Sequence, residues 1–274
     1  MKYRIVADSS ANLHTEGDVV NVPLKIVTDE KEYTDDQHLD TMQMLLELSD
    51  YDGRSGTSCP SVGDWLEAFG DAQWVFAVAI TSGLSGSYNA LVQAADVYTG
   101  EHPDRKVCCL DSLSAGPELA LIVEKLQELV QQGLSFEEVE EKIRSYMHNT
   151  HLVFMLESLE NLAKNGRISP IIAKAAGLLG IRVVGSASDE GTLKQEHRCR
   201  GERKALETML KTMVEKGYES GKVRIAHSHN ELAAQDFAAR LHVVYPEADV
   251  QIHECRGLCC FYAERGGLLV GYEA

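Results

Sequence analysis

The sequence predicts an α/β protein in which a mostly parallel N-terminal sheet, flanked by helices, precedes a second α+β domain. In the first half, short β-rich runs alternate with helical stretches, the order that is typical of a parallel sheet. Residues 74–80 form a nearly continuous apolar run, as expected for a strand that is covered on both faces. We place the boundary near residue 153, so the predicted domains span residues 1–153 and 154–274.

The predicted strands of the first half are residues 3–7, 19–27, 74–80 and 106–110. Pro23 makes the second of them an edge or irregular strand, because proline donates no hydrogen bond to a strand ladder. A helix is predicted over residues 85–97. Ser135 precedes Glu138 by three residues, the spacing of a capping box, and this indicates where a later helix begins.

The second half has a less regular order of elements. Its predicted strands are residues 151–156, 181–184, 223–226, 250–253 and 268–272. Its predicted helices are residues 158–164, 170–179, 201–216 and 231–243. Pro170 starts the second of these helices, a position where the missing N–H of proline is harmless.

Composition and charge limit the classes of function. The formal net charge of −16 argues against binding along a nucleic-acid backbone, which needs clustered Lys and Arg. The seven cysteines are an odd number and do not suit a disulfide framework. No apolar run reaches the length of a secretory or membrane-spanning segment. We therefore predict a cytoplasmic protein with free thiols and no stable membrane insertion.

Polar residues follow three of the predicted strands of the first half. They form the segments Asp8-Ser9-Ser10, Thr81-Ser82 and Asp111-Ser112. In an open parallel sheet, ligands bind outside the carboxyl ends of the strands. Polar loops that recur there are therefore better candidates for a binding site than polar loops elsewhere.

The segment TSCPS at residues 57–61 is the first candidate binding loop. Pro60 disfavours helical conformation in the residue before it, so the hydroxyls of Thr57 and Ser58 precede a rigid turn. The alternative is a structural role, in which Ser61 caps the helix that follows.

The segment TSGLSGS at residues 81–87 is the second candidate. Its glycines let the backbone approach a ligand closely, and Ser82 and Ser85 carry hydroxyls. The start of the next helix offers free N–H groups and a positive dipole end, which suit a carboxylate or phosphate. The alternative is a strand-to-helix turn with a capping serine.

An esterase acting on lipid esters is the enzymatic alternative for the same segment. The segment nearly matches the nucleophile elbow, with Ser85 as the nucleophile, but Ser87 stands where the final glycine belongs. A base would also be needed, and the sequence does not place any of the candidate histidines, which are His227, His229, His242 and His253.

Arg167, in the segment NGRIS, is the third candidate because its guanidinium can pair with a carboxylate or phosphate. Its alternative role is to cover a helix end with its aliphatic stem. His227 and His229 would share one face of a strand, but neither C-x-x-C nor H-E-x-x-H spacing supplies further metal ligands. Dinucleotide and ATP phosphate-loop motifs are also missing. We predict no metal and no cofactor.

Taken together, these segments resemble the DegV family over nearly the whole chain and in the same order. The segments are DSS at 8–10, TSxPS at 57–61, SxLSGSY at 82–88, DS at 111–112, LExL leading to GRIS between 156 and 169, and the glycines at 266–267. Each motif is weak alone, and their order makes the resemblance specific. It implies an N-terminal α/β domain, a C-terminal α+β domain and a long-chain fatty acid in a tunnel between them.

The resemblance also implies which residues hold the ligand. In the family, hydroxyls of the second and third motifs bind the carboxylate near the arginine of GRIS. Carried over, these residues are Thr57, Ser58, Ser82, Ser85 and Arg167. The protein would bind without catalysing, and some members present the acid to a separate fatty acid kinase, which the resemblance implies as a partner.

This chain differs from the family at the C-terminal HxGPG motif, because residues 263–267 read AERGG. Ala263 replaces the histidine that lies by the head group in the family and is linked with presenting it for phosphorylation. This counts against the kinase partner more than against lipid binding, and it also weakens the esterase alternative. We expect Glu264 and Arg265 to pair with each other or with solvent. A carrier of another anionic amphiphile stays open as a third alternative.

Overall fold

The computed structural model describes residues 2–169 and 180–274, so the helix predicted over residues 170–179 lies outside the described residues. The described strands are β1 (Tyr3–Asp8), β2 (Val19–Val22), β3 (Lys25–Thr28), β4 (Glu32–Thr34), β5 (Ser55–Ser58), β6 (Trp74–Ala79), β7 (Lys106–Asp111), β8 (Thr150–Leu156), β9 (Ile181–Ala187), β10 (Leu193–Arg200), β11 (Lys222–His227), β12 (Asp249–Glu254) and β13 (Leu268–Glu273). The described α-helices are α1 (Thr41–Ser49), α2 (Val62–Phe69), α3 (Ser87–Glu101), α4 (Pro117–Gln131), α5 (Phe136–Met147), α6 (Glu160–Lys164), α7 (Glu202–Glu215), α8 (Glu231–Val244) and α9 (Gly257–Ala263).

The N-terminal half contains a four-stranded parallel sheet in the order β2-β1-β6-β7. Helices cover both of its faces, which explains why β6 is so apolar. Phe76 and Val78 of β6 belong to the core formed with α4 and α5, whereas Val75 and Ala77 belong to the core formed with α2 and α3. The predicted α/β fold with a parallel N-terminal sheet is confirmed.

Local signals in the sequence predicted some element boundaries better than others. The single strand predicted over residues 19–27 is wrong, because the chain breaks at Pro23 into β2, an edge strand of the parallel sheet, and β3. β3 instead pairs with β4 and β5 in a separate antiparallel sheet. The capping box of Ser135 and Glu138 is confirmed at the start of α5. The helix expected from residue 85 begins at Ser87, after the glycine-containing turn.

The C-terminal half contains a six-stranded mixed sheet in the order β10-β9-β8-β13-β11-β12. Helices α7 and α8 cover one face, where Met209, Met213 and Phe237 are fully buried. β10 was not predicted, because it is a polar edge strand whose residues are mostly partly or fully exposed. β8 crosses the predicted boundary at residue 153 as one continuous strand, and the division into two domains stays a prediction.

Helix α4 lies between the two sheets and contacts both of them. Leu119, Ile122 and Leu126 pack in the core of the parallel sheet, while the helix also contacts β11 and β13 of the six-stranded sheet. A helix that is covered on opposite sides needs apolar residues around most of its circumference. The segment from Leu119 to Val123 is accordingly an uninterrupted buried run.

An ion network centred on one buried arginine also joins α4 to the six-stranded sheet. Arg224 of β11 is only 2% exposed, and its guanidinium donates to both carboxylate oxygens of Glu124 at 2.6 and 2.7 Å. The same guanidinium reaches Asp249 at 2.9 Å, and Lys222 lies 3.4 Å from Glu124. Because Arg224 is buried, loss of Glu124 would leave the arginine charge poorly compensated, so this ion pair helps to hold the two halves in one arrangement.

The lack of space around Gly271 of β13 shows how closely α4 approaches the six-stranded sheet. A Cβ atom at this position would lie 2.5 Å from the backbone nitrogen of Glu118 and 2.6 Å from the carbonyl carbon of Pro117. We expect Gly271→Ala to lower the free energy of unfolding by about 1–3 kcal/mol, because neither backbone can yield without disturbing both cores. Urea denaturation followed by circular dichroism measures the change.

Gly100 offers the matched control. It lies inside α3, where an added Cβ meets nothing within 4 Å, so Gly100→Ala should stabilise by up to about 1 kcal/mol. An unchanged unfolding midpoint for Gly271→Ala would contradict the close approach.

Candidate functional site

A cavity of about 690 Å³, counted with its open mouth, lies between the two halves of the chain. Its lining is almost entirely apolar. The described apolar lining residues are Leu24, Ile80, Leu84, Ala115, Leu152, Phe154, Leu156, Leu162, Leu193, Leu258, Cys259, Ala263 and Leu269. Because neither half provides all of these side chains, the cavity depends on the packing of both around α4.

Thr57 and Tyr262 bring the two halves together at this cavity. Thr57 lies on β5 and Tyr262 on α9, and their hydroxyl oxygens are 2.8 Å apart in a hydrogen bond. Burial raises the pKa of Tyr262, and the hydrogen bond to Thr57 and the charge of Arg167 oppose this effect. The tyrosine therefore stays a neutral donor at physiological pH.

Helix α9 is positioned by a carboxylate that is far away in the sequence. Asp35 is fully buried, and its side chain accepts the backbone N–H groups of Gly257 at 2.7 Å and Leu258 at 2.9 Å. These are free donors of the first helical turn, so Asp35 acts as a long-range cap. It directs the face of α9 that carries Leu258 and Tyr262 into the cavity.

The turn that carries Ser85 is held by two aspartates from the predicted strand ends. Asp8 is buried and accepts from the Ile80 N–H at 2.9 Å and the Ser87 hydroxyl at 2.6 Å. Burial raises the pKa of Asp8, while these hydrogen bonds oppose the increase. Asp111 accepts from the Ser82 N–H at 3.1 Å. Both aspartates therefore shape the loop, and neither lines the apolar cavity among the described residues.

Arg167 lies against the same turn. Its Nε donates to the carbonyl oxygen of Leu84 at 3.1 Å, its Nη1 donates to the carbonyl oxygen of Asn165 at 2.5 Å, and Arg167 is one of the residues that line the cavity. Gly166, with a φ of 71°, turns the chain after α6 so that Arg167 can point there. Ser85 adjoins Leu84, and Arg167 is close enough to influence Tyr262. Thr57, Tyr262 and Arg167 are therefore close together, and Ser85 lies in the turn that Arg167 contacts.

The structure brings together three of the five predicted binding residues. Thr57, Ser85 and Arg167 line the cavity. Ser58 and Ser82 are exposed and are not among the described lining residues. The Ser58 hydroxyl lies 3.4 Å from the carbonyl oxygen of Cys59, and Ser82 uses its backbone N–H to bind Asp111. The ligand contacts of all five residues remain predictions.

Tyr262 is the site residue that sequence reasoning missed. It stands directly before Ala263, which lines the cavity where the family histidine was expected. Among the described contacts Glu264 does not pair with Arg265, and its side chain is only partly exposed to solvent. Glu264 instead accepts from the Ser158 hydroxyl at 2.9 Å and the Asn161 N–H at 3.1 Å, because it is drawn to the start of α6.

The polar lining groups are three hydroxyls and one guanidinium, and no described lining residue is His, Asp or Glu. The Ser85 hydroxyl accepts from the Ser87 N–H at 3.2 Å and has no base beside it within this lining. An apolar cavity with hydrogen-bond donors at one place suits an amphiphile with an anionic head. It does not have the arrangement that an esterase needs.

The described residues were also compared with the requirements for a membrane span and for a metal site. No described helix is both long and apolar enough to cross a membrane. Within the same ranges, no group of three or more His, Cys, Asp and Glu side chains could hold a metal ion.

Comparison with solved structures shows close relatives of the whole chain. A DegV family protein from Eubacterium eligens, loaded with heptadecanoic acid, is 44% identical with a TM-score of 0.97, and 99% of each chain is covered. The Streptococcus pneumoniae Fatty Acid Kinase (Fak) B3 protein, loaded with linoleic acid, is 42% identical with a TM-score of 0.97. That match covers 100% of this chain and 99% of the other.

Sequence comparisons agree with the structural ones. A DegV domain-containing protein of Streptococcus pneumoniae is 42% identical over 279 aligned positions, which cover 100% of this chain and 99% of the relative. The family model described as "Uncharacterised protein, DegV family" matches residues 2–273. The resemblance inferred from the ordered motifs is confirmed, and the chain belongs to the DegV family.

Proposed function

We propose that this protein binds a long-chain fatty acid in the cavity between its halves and does not itself catalyse a reaction. The observation that carries the proposal is the clustering of Thr57, Ser85, Arg167 and Tyr262, all hydrogen-bond donors, in an otherwise apolar cavity. An unpaired carboxylate would be very unfavourable there, and these donors can satisfy it. Ser58 and Ser82 belong to the same two loops, and we propose that they support the head-group site from outside the lining.

The hydrocarbon tail supplies most of the binding free energy in this proposal. Each buried methylene contributes ~0.8 kcal/mol, so a chain of the length seen in the relatives gains on the order of 10 kcal/mol before the entropy of association is subtracted. The relatives crystallised with heptadecanoic and linoleic acids support this ligand class, because they share the fold along nearly the entire chain.

We further propose that the protein acts in the cytoplasm and presents the bound carboxylate to a fatty acid kinase. Similarity to the Fak B3 protein supports the kinase partner. Seven free cysteines, of which Cys59 is exposed, support a reducing compartment. Ala263 stands where the expected histidine would be, so Tyr262 is the neighbouring donor that faces the head-group region.

The first test is extraction of the purified protein under denaturing conditions, followed by mass spectrometry of the released lipid. We expect a fatty acid in near-stoichiometric amount, since a largely apolar cavity retains such a ligand through purification. A protein that is empty and also fails to bind added fatty acid would contradict the proposal. The carrier of another anionic amphiphile would then be the better hypothesis.

Ser85→Ala tests the head-group contact. We expect the affinity for fatty acid to fall by about 1–3 kcal/mol, because a charged acceptor loses one donor. Titration with a fluorescent fatty acid measures the change. Ser220→Ala, at an exposed turn before β11, is the matched control and should leave the affinity unchanged. Equal affinities for Ser85→Ala and the control would remove Ser85 from the site.

Tyr262→Phe tests the residue that the motifs did not indicate. The substitution keeps the ring in the cavity wall but removes the hydroxyl and its hydrogen bond to Thr57, so we expect a loss of about 1–2 kcal/mol in fatty-acid affinity and a small decrease in the unfolding midpoint. Tyr51→Phe is the control, because its hydroxyl lies outside the cavity lining. The corresponding fatty alcohol should bind both proteins alike; a loss of similar size for the alcohol would indicate altered packing instead of a carboxylate contact.

A further inference from the structure

Glu264 is a partly buried carboxylate near the cavity, and the apolar lining does not explain why it is there. It directly follows Ala263, the last residue of α9. Glu264 is not among the described lining residues, so a ligand in the cavity need not touch it. Its φ of 53° is unfavourable for a residue with a side chain, so the surrounding structure holds it in this conformation.

The Glu264 carboxylate binds the start of helix α6. One oxygen, Oε1, accepts from both the Ser158 hydroxyl at 2.9 Å and the Asn161 N–H at 3.1 Å. Burial raises the pKa of Glu264, and these two hydrogen bonds oppose the increase. Leu159, the residue before the helix, has no side chain that could cap it. Glu264 therefore supplies an acceptor that the first turn of α6 needs, from 103 residues further along the chain.

A second contact joins α6 to α9. The side-chain amide of Asn161 donates to the carbonyl oxygen of Phe261 in α9 at 2.8 Å. Helix α9 is itself fixed at its other end by Asp35, which accepts the N–H groups of Gly257 and Leu258. Helix α6 is therefore attached to a helix whose position is already determined.

The far end of α6 determines where Arg167 lies. The Arg167 N–H donates to the carbonyl oxygen of Leu162 at 2.8 Å, and its guanidinium donates to the carbonyl oxygen of Asn165. The side-chain amide of Asn165 in turn donates to the carbonyl oxygen of Asn161 at 2.9 Å. Because α6 has only five residues, a shift at its start would also displace its end and the guanidinium held there.

We propose that Glu264 is a positioning residue for the head-group site, which fixes the Arg167 guanidinium after α6 relative to the Tyr262 hydroxyl on α9. Because this role concerns the donors that hold the carboxylate, it rests on the proposed fatty-acid binding. Glu264 acts through Arg167 and does not itself contact the ligand. A carboxylate that only stabilised the fold would instead affect every ligand of the cavity alike.

Two ligands with the same tail distinguish positioning from general stability. Oleic acid and oleyl alcohol share their hydrocarbon chain, but only the acid carries a charge that pairs with a guanidinium. We expect Glu264→Ala to weaken oleic acid binding about tenfold, the scale of one misplaced charged donor, and to change oleyl alcohol binding by less than about threefold. Calorimetric titration of the delipidated protein measures both affinities.

Glu264→Gln is the conservative variant. Because one oxygen accepts both hydrogen bonds, the amide oxygen of glutamine can replace it, and we expect an oleic acid affinity within about threefold of wild type. Glu219→Ala, at an exposed position before β11, removes a surface carboxylate and should leave both affinities unchanged. A folded Glu264→Gln protein that binds oleic acid as poorly as Glu264→Ala would contradict the positioning role.

A double-mutant cycle tests whether Glu264 acts through Arg167. We expect Glu264→Ala to lower the oleic acid affinity by less than about threefold in an Arg167→Ala background, because the guanidinium that it positions is already absent. A full tenfold loss in that background would overturn the proposal. If Glu264→Ala does not fold, Ser158→Ala removes one donor to the carboxylate and enters the same cycle, where a smaller loss with the same dependence on Arg167 is expected.

The wild-type protein separates this role from the proposed function. Failure of the wild type to bind oleic acid would contradict fatty-acid binding, and the role of Glu264 with it. Normal wild-type binding, combined with an unchanged affinity in Glu264→Ala or with equal losses for the acid and the alcohol, would overturn the role of Glu264 alone.

Discussion

The sharing of helix α4 by two sheets is the constraint on which the rest of the structure depends. A helix with one covered face can shift across its sheet, but α4 is held by a parallel sheet on one side and by β11 and β13 on the other. The ion network of Arg224 and Glu124 and the close approach of Gly271 leave little room for sliding. The space between the halves is therefore a fixed cavity, whose walls neither half could build alone.

The polar end of that cavity depends on aspartates that do not line it. Asp8 and Asp111 hold the turn that carries Ser85, and Asp35 holds the helix that carries Tyr262. Buried carboxylates are stable only where donors surround them, so each one fixes the backbone that supplies its donors. The part of the lining that the structure describes is therefore free of carboxylates, which favours an anionic head group.

Much of the fold was predictable because its signals are local. The apolar run of β6, the break at Pro23 and the capping box at Ser135 each act over a few residues. β10 was not predictable, because a polar edge strand needs a partner on only one side. The role of Tyr262 also escaped prediction, since α9 is capped by Asp35 from more than two hundred residues away. The motifs indicated Thr57, Ser85 and Arg167, but only the packing of both halves separates them from Ser58 and Ser82.

Thr81 connects the loop of residues 81–87 to the C-terminal half of the chain. Its hydroxyl donates to the carbonyl of Gly191, in the turn between β9 and β10, at 2.8 Å, and a Cβ on Gly191 would collide with it. The loop is therefore held by Asp8 in its own half and by Gly191 in the other half, and separating the halves would break the second contact. Any movement of the halves that widened the cavity at this place would therefore have to break this hydrogen bond.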